Sequence, residues 1–326
     1  MPNSFYQAPQ AARLAVALTA DELMVSALIS RNLENDLLGG GGRGRTVNLK
    51  VPTALVARAR DIEDVTNKIV LDYLAEQTVS VTLGTHAYSA VGLSEGDLSL
   101  NLEDFGAQVL APQTTAVAEY VEDMVLNKLL TETETTGIDW DPATPSKTFT
   151  ALRQTLRKRG VPQTNLNVLV GTDVYAALLD AKEITDAGQS GSTAALREAQ
   201  VGRVRGFTVV ESTKIPDGQI VAFHRDAYTL AVRAPKVPAG APFGATVNEA
   251  GFALRYLRDY AADYTQDRSI VSTFCGIAKM PLYRVSRTEP TMGKVEGQAG
   301  YTVGSATVTA DPAGAVVRID TTTAVS

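Results

Sequence analysis

The hydrophobic pattern at the N-terminal end of the chain has the spacing of a helix. Apolar residues recur three and four positions apart, and Glu22 follows Thr19 by three residues, as in a helix capping box. The recurring apolar residues are Leu23, Ala27, Leu28 and Leu33. The pattern predicts an amphipathic helix that ends at Gly39, where a run of glycines begins.

After Thr46 the hydrophobic period changes to two, which is typical of a strand with one buried face. The same alternation returns near residue 79. The alternating apolar residues are Val47, Leu49 and Val51 in the first run, and Val79, Val81 and Leu83 in the second. Between the runs lies a cluster of charged residues: Arg58, Arg60, Asp61, Glu63 and Asp64. We interpret residues 45–92 as one long hairpin whose tip or side carries this cluster.

The longest helical pattern of the chain begins near Pro112, a residue that the first turn of a helix tolerates, and is expected to stop at Gly137. Its apolar residues fall on one helical face. They are Val117, Tyr120, Val121, Met124 and Val125. We expect this face to pack against the rest of the fold.

Helical and strand patterns are mixed in the second half of the chain. Helical spacing marks residues 148–160, 173–183 and 192–200, and strand patterns mark residues 166–172, 206–212 and 219–232. This mixture predicts a compact α+β domain. Further strands follow over residues 252–287. The tail after Glu289 is rich in Gly, Thr, Val and Ala and has the pattern of a weak strand that could add to a neighbouring sheet.

Composition narrows the class of protein. The chain has 326 residues, of which 44% are hydrophobic, which is enough for one large core or two modest ones. Neither a secretory signal nor an apolar run of membrane-spanning length is recognisable, so we expect a cytosolic product without membrane contact. The net charge of -6 gives no overall source of the electrostatic attraction that drives generic nucleic-acid binding.

The residues that usually carry chemistry are few and scattered. A single cysteine, Cys275, excludes an internal disulfide framework, and together with His86 and His224 it does not make a zinc-ligand set. His224 alternates with apolar residues and is interpreted as a strand residue. Ser212 and Ser269 lack the context of a nucleophile elbow. We therefore expect no catalytic residue, no cofactor and no metal site.

The glycine-rich stretch that begins at Gly39 comes close to a phosphate-binding loop, because it reads G-x-x-x-x-G-R-T with Arg45 in place of the usual lysine. A working loop follows a strand and precedes a helix. Here the pattern predicts the opposite order, so we prefer a hinge, and a nucleotide-binding enzyme stays as the alternative. The hinge residues are Gly39, Gly40, Gly41, Gly42 and Gly44.

A second pair of glycines, Gly202 and Gly206, lies between a helical pattern and a strand pattern. Arg203 and Arg205 lie beside these glycines, so an anion-binding site is one interpretation of the stretch. The stronger interpretation is a helix stop followed by a tight turn.

The order of these parts resembles the major capsid (coat) proteins of tailed bacteriophages with the HK97-like fold, and their P22-type coat-protein branch in particular. Three stretches carry the resemblance. Residues 41–83 resemble the family's extended loop, in which a glycine introduces an alternating strand that ends near a proline, here Pro52. Residues 97–125 resemble its spine helix, with Pro112 in the matching place. Residues 195–216 resemble its helix, turn and strand that enter the axial domain, through Gly202, Gly206, Phe207 and Pro216.

The resemblance implies an α+β architecture of six parts. These are an N-terminal arm (1–43), an extended hairpin called the E-loop (44–92), a peripheral domain with the spine helix (93–137), an axial domain (138–260), return strands of the peripheral domain (261–288) and a C-terminal extension (289–326).

The resemblance also implies a structural protein that assembles with itself, as hexamers and pentamers, into an icosahedral shell around packaged double-stranded DNA. The charge cluster of the E-loop would then contact adjacent subunits, and the glycine hinge would let arm and hairpin move as the shell matures. Further implied partners are scaffold and portal proteins, a decoration protein on the tail, and non-specific contact with DNA. The chain would be made in the host cytoplasm and reside in the virion capsid. A cellular, encapsulin-like compartment built on the same fold is a structural alternative.

Overall fold

The computed structural model describes residues 13, 24–31, 45–51, 77–94, 106–135, 137–181, 202–241, 243–249, 252–288, 305–311 and 313–320. Three α-helices lie within them: α1 (Ala111–Leu130), α2 (Pro145–Lys158) and α3 (Thr172–Asp180). A π-helical turn over Gly106–Leu110 leads into α1. Helices α2 and α3 confirm the helical patterns predicted at 148–160 and 173–183, whereas the pattern at 192–200 lies outside the described residues.

The first two strands form an antiparallel ribbon. Strand β1 (Thr46–Val51) pairs with β2 (Gln77–Thr82), with Thr46 opposite Thr82 and Val51 opposite Gln77. The two chain ends that leave this ribbon at residues 51 and 77 are therefore neighbours, as a hairpin requires. The base of the ribbon packs on the body of the protein, since Val81 and Leu83 are buried with Ala231.

The second arm of the predicted hairpin is not one strand. The chain breaks at Leu83 and Gly84, and β3 (Thr85–Ser94) joins a different sheet. The guanidinium of Arg45 bridges the corner, because its Nε donates to the carbonyl oxygen of Leu83 at 3.0 Å and its Nη2 to that of Gly84 at 3.3 Å. Alternation continues across the corner in the sequence, so the hydrophobic period gave no sign of the change of sheet.

The central sheet of the fold contains β3 and four further strands: β8 (Tyr228–Arg233), β9 (Phe243–Glu249), β10 (Phe252–Ala261) and β11 (Gln266–Lys279). Its strand order is β3-β11-β10-β9, and β8 also pairs with β11. All of these pairs are antiparallel. Strand β11 is long enough to pair with β3 along its first part and with β8 along its last, so it ties the two together.

The strands of a second five-stranded sheet are β4 (Leu166–Val170), β5 (Arg203–Val204), β6 (Phe207–Glu211), β7 (Gln219–His224) and β14 (Val316–Asp320). Their order in the sheet is β14-β7-β4-β6-β5. Strands β4 and β6, which precede and follow α3 in the chain, pair in parallel, and the other pairs are antiparallel. A short ribbon of β12 (Leu282–Thr288) and β13 (Ser305–Asp311) follows the central sheet in the chain.

Residues 219–232 were expected to form one strand, and this expectation is wrong. A 3-10 turn over Arg225–Ala227 divides the run, and its halves β7 and β8 enter the two different five-stranded sheets. The turn is capped by His224, whose Nδ1 accepts from the backbone N–H of Asp226 at 3.1 Å. His224 is therefore a strand residue, as predicted, and the structure shows that it also caps the turn.

The C-terminal tail adds a strand to a sheet of its own chain. Strand β14 pairs antiparallel with β7, with Val316 opposite Phe223 and Asp320 opposite Gln219. Val316, Val317 and Ile319 are buried in the main core. The strand predicted after Glu289 is confirmed, and part of the tail completes the sheet that begins at Leu166.

Candidate functional site

Helix α1 lies across the central sheet and is the element around which the other parts are arranged. Of the face predicted from sequence, Val117, Val121 and Val125 are at most 1% exposed and Met124 is partly buried against the core. Tyr120 is wrongly assigned to this face, because its side chain is 51% exposed. Successive residues of a helix are rotated by about 100°, and the buried face is centred near Val121, one residue beyond Tyr120.

The end of α1 also differs from the prediction. The helix ends at Leu130, and Gly137, which has a φ of 83°, lies in the turn beyond it. The backbone N–H of Thr131 still donates to the carbonyl oxygen of Asn127 at 3.0 Å. After Thr131 the chain turns, and the side chain of Glu132 reaches the central sheet. The prediction that the helix continues to Gly137 does not include this turn.

A buried amide fixes the beginning of α1 to the central sheet. Nε2 of Gln113 donates to the carbonyl oxygens of Ser269, at 2.8 Å, and of Ser89, at 3.2 Å, and Oε1 accepts from the Ser269 hydroxyl at 2.7 Å. Gln113 is 2% exposed, so each of its polar groups depends on these partners. The contact sets the position of α1 along β3 and β11.

A buried carboxylate on the same helix holds the N-terminal segment. Oε1 of Glu122 accepts from the backbone N–H of Val25 at 2.9 Å, and Oε2 accepts from that of Ser26 at 3.1 Å. Burial raises the pKa of Glu122, while these two N–H groups and the charges of Arg31 and Lys214 oppose the rise. One acidic side chain of α1 thus binds two backbone donors of a segment almost a hundred positions away.

The described part of this segment, residues 24–31, does not form the predicted amphipathic helix. It contains a 3-10 turn, Ser26–Leu28, and Ser30 forms a parallel bridge with Thr229 at the edge of β8. The side-chain amide of Asn167 donates to the carbonyl oxygen of Leu28 at 3.2 Å. Because the backbone groups find partners on α1, β4 and β8, tertiary contacts override the local helical preference.

A third polar contact joins the end of α1 to both five-stranded sheets. The hydroxyl of Tyr228 donates to Oε1 of Glu132 at 2.5 Å, and Lys279 forms an ion pair with Oε2. Nη1 of Arg318 on β14 donates to the carbonyl oxygen of Glu132 at 3.3 Å. Burial and the adjacent Glu132 carboxylate raise the pKa of Tyr228, which keeps its hydroxyl as a donor.

The turn predicted at the second glycine pair is present. Val204 pairs with Phe207, so Arg205 and Gly206 alone connect β5 to β6, with φ of 49° and 91°. Positive φ at both positions is the geometry of a type I′ hairpin turn and explains the glycine. Gly202 also has a positive φ, of 61°. Nη1 of Arg153 on α2 donates to the carbonyl oxygen of Arg205 at 2.7 Å and so fixes the turn to the helix.

Two predicted sets of residues lie outside the described residues and stay predictions. One is the hinge, which comprises Gly39, Gly40, Gly41, Gly42 and Gly44. The other is the E-loop charge cluster, which comprises Arg58, Arg60, Asp61, Glu63 and Asp64.

The flank of the glycine run bears on the nucleotide-binding alternative. Residues 46–51 form strand β1, where a phosphate-binding loop needs a helix whose backbone N–H groups face the phosphates.

Cys275 is buried, and burial raises the pKa of its thiol to about 11. In the described part of the chain, no group of three or more acidic, His or Cys side chains is placed to hold a metal ion, and no helix is long and apolar enough to cross a membrane.

The class of this fold, with its long helix packed on an antiparallel sheet and its separate mixed sheet, is given by comparison with known protein families. Residues 97–273, which include α1 and most of both sheets, match the family of phage capsid proteins. The chain belongs to the phage capsid protein family.

One curated relative is the major capsid protein of Escherichia phage T5, which is 33% identical to this chain over 89 residues. That stretch covers 27% of this chain and 19% of the relative, so the chain matches about a fifth of the relative's length.

Solved structures show the same fold over much longer stretches. A structure from Mycobacterium phage Che8 matches with a TM-score of 0.60 at 17% identity and covers 92% of both chains. The mature capsid of bacteriophage PhiM1 matches with a TM-score of 0.53 at 12% identity, over 86% of this chain and 82% of that one. The capsid of cyanophage P-SCSP1u matches with a TM-score of 0.51 at 12% identity, over 73% and 80%. The expected α+β, HK97-like architecture is confirmed, whereas the P22-type branch stays a prediction.

Proposed function

We propose that this chain is a major capsid protein, which assembles with itself into the closed icosahedral shell that encloses the packaged double-stranded DNA of a tailed phage. The observation that carries the proposal is the family match over residues 97–273, which contain the spine helix α1 and most of the sheets around it. The T5 relative, named as a major capsid protein, supports the same function.

The proposal gives the ribbon a structural role. Residues 52–76 join the ends of β1 and β2 in the chain, and together with the base of the ribbon they would make two arms of about twenty residues, or about 60 Å when extended. A lone two-stranded ribbon is marginal in water, so the E-loop needs a surface to lie on. We assign this surface to helix α1 of the adjacent subunit, where the exposed ring of Tyr120 offers an apolar contact.

The E-loop charges would fix the register of that contact. Each exposed ion pair contributes about 0–1 kcal/mol, so a misplaced subunit can dissociate before the shell closes. Repetition of the same weak contact around a closed shell then stabilises the correct arrangement.

The proposed glycine hinge lies in the chain between a segment bound to α1 and the base of the ribbon. Upstream, Glu122 binds the backbone of Val25 and Ser26, and downstream the N–H of Leu83 donates to the carbonyl oxygen of Arg45 at 2.8 Å within the ribbon itself. Glycine adopts positive and negative φ with equal ease, so a run of glycines lets these two parts move relative to each other. Such movement is what expansion of a maturing shell would require.

The partners that follow from this function are copies of the chain itself in hexamers and pentamers, scaffold and portal proteins, a decoration protein on the tail, and packaged DNA in non-specific contact. The chain would be synthesised in the host cytoplasm and would reside in the virion capsid, without membrane contact and without an enzymatic role.

Negative-stain electron microscopy of the purified chain tests the proposal. Closed shells or open tubes of subunits are expected, and a monodisperse small oligomer under all assembly conditions would contradict it. Nuclease-protected DNA inside particles from infected cells distinguishes a virion from a cellular compartment, whose shell would hold a cargo protein instead. A calorimetric titration with ATP and GTP is expected to show no binding.

A further inference from the structure

A groove of about 550 Å³ lies at the base of the ribbon, where β2, β3 and β11 meet the chain that follows β8. Its apolar surface includes Leu83 and the ring of Phe274. The imidazole of His86 packs edge-on against that ring, with 4.9 Å between the ring centroids. This combination of apolar surface and aromatic edges is typical of a site that binds a peptide side chain.

The rim of the groove is positively charged. Arg45, Arg233 and Lys236 line it, and none of the described lining residues is acidic, although the chain as a whole has 36 acidic and 30 basic residues. The rim is also held in place. Arg45 bonds the carbonyl oxygens of Leu83 and Gly84, and Nη1 of Arg255 donates to the backbone carbonyl oxygen of Lys236 at 3.0 Å. The groove is therefore suited to a short segment with both acidic and apolar side chains.

The segment that leads into α1 has that composition. Residues 102–105 read Leu-Glu-Asp-Phe, and residues 95–105 contain four acidic residues and no basic one. We propose that the groove receives residues 102–105 of a second copy of the chain, with Glu103 and Asp104 at the cationic rim and the apolar residues on the floor. The inference rests on the proposed self-assembly and specifies one of its contacts.

The helix that this segment leads into lies on the opposite face of the sheet of its own subunit. Ala87 and Cys275 are buried on the side of the sheet that carries α1, so His86 and Phe274, one position earlier on each strand, face the opposite side. Residues 102–105 lead directly to Gly106 at the start of the α1 segment, and they span at most about 14 Å.

Gln113 near the start of α1 bonds the carbonyl oxygens of Ser269 and Ser89, so the helix that the segment leads into is fixed on the face of the sheet opposite the groove. We therefore assign the occupant of the groove to another subunit.

Packaged DNA is the competing occupant, and the groove fits it less well. Proteins that bind the DNA backbone neutralise several phosphates along an open surface. Here three cations surround an apolar recess, and burying aliphatic and aromatic surface gives no advantage with a phosphate backbone. A carboxylate-bearing peptide satisfies both the charges and the apolar floor.

Zero-length carbodiimide cross-linking of assembled particles tests the contact directly. Shells are assembled from an equal mixture of unlabelled and ¹⁵N-labelled chains, and cross-linked peptides are identified by mass spectrometry. An amide between Lys236 and Glu103 or Asp104 that joins labelled to unlabelled chains is expected in shells and not in dissociated subunits. Shells without this cross-link would overturn the inference and leave the proposed function standing, whereas a chain that never forms shells would overturn both.

Charge exchange provides a second, independent test. K236E is expected to lower shell yield about tenfold, because like charges would meet at every copy of the contact, and adding E103K should restore most of the yield. K147E, an equal charge change at an exposed position on α2, is the control and should assemble normally. An equal melting temperature of the wild-type, K236E and K147E subunits shows that folding is intact. Failure of E103K to rescue K236E, or normal assembly of K236E with reduced DNA content, would refute the contact.

Discussion

The close approach of the ribbon to the central sheet makes Gly276 on β11 a sensitive position. A Cβ atom built there would overlap the carbonyl oxygen of Thr82, and would lie 2.9 Å from its carbonyl carbon and 3.1 Å from Cα of Leu83. All three atoms belong to the backbone, so no side chain can rotate away, and β2 would have to move by about 1 Å. Overpacking of this kind costs about 1–3 kcal/mol, and the lower entropy of the unfolded alanine chain offsets about 0.4–1 kcal/mol of it.

Gly276→Ala should therefore lower the free energy of unfolding by about 1–2 kcal/mol in urea denaturation of the subunit. Gly84→Ala is the matched control, because a Cβ at Gly84 meets nothing within 4 Å, so that this variant should be neutral or slightly stabilised. Since the displaced strand sets the direction of the E-loop, Gly276→Ala should also reduce shell yield. Identical unfolding midpoints for Gly276→Ala and wild type would refute the described packing of the ribbon.

Three further changes test other parts of the account. The pKa of Glu122 is raised, so between the ordinary Glu value and the raised one the folded state binds more protons than the unfolded state, and the free energy of unfolding should fall as pH rises through that window; Glu122→Gln should lose this slope, and an unchanged slope would contradict the assignment. Tyr228→Phe removes the donor to Glu132 and should cost about 1–2 kcal/mol in urea denaturation, whereas no loss of stability would show that this contact is not stabilising. Alanine at residues 40–42 should leave subunits soluble but impair expansion, and particles of normal size and DNA content would defeat the hinge proposal.

The elements that the sequence predicted correctly are those in which one local pattern decides the outcome. Val117, Val121 and Val125 recur at helical spacing on a helix with one buried face, and their burial follows from that spacing alone. Gly206 sits in a two-residue hairpin turn that requires positive φ, so the residue type itself identified the turn.

The expectations that were wrong involve a change of partner that the local pattern does not identify. Alternation continues through Gly84, although the chain moves to another sheet there, and only the three polar residues 224–226 interrupt the apolar run where β7 and β8 enter different sheets. Residues 24–31 have a helical pattern, but their backbone is bound by α1 and β8. Such contacts depend on residues far away in the chain, which a local pattern does not contain.

The buried polar contacts of α1 were missed for a related reason. Gln113, Glu122 and Glu132 are polar residues in a helical pattern, and such residues are usually solvated. Only the packing of β3, β8, β11 and the N-terminal segment against the helix shows that all three are bonded to distant backbone or side-chain groups. Glu122 does lie within the apolar stripe, one residue after Val121, and this position was the signal available in the sequence.

A cryo-electron microscopy reconstruction of particles assembled from the purified chain tests the central claim most directly. The account predicts a closed icosahedral shell in which the ribbon of β1 and β2 extends from each subunit over α1 of its neighbour, near Tyr120. Particles that are closed but hold the ribbon on its own subunit would contradict the proposed role of the E-loop. A discrete small oligomer with no shell would contradict the proposed function itself.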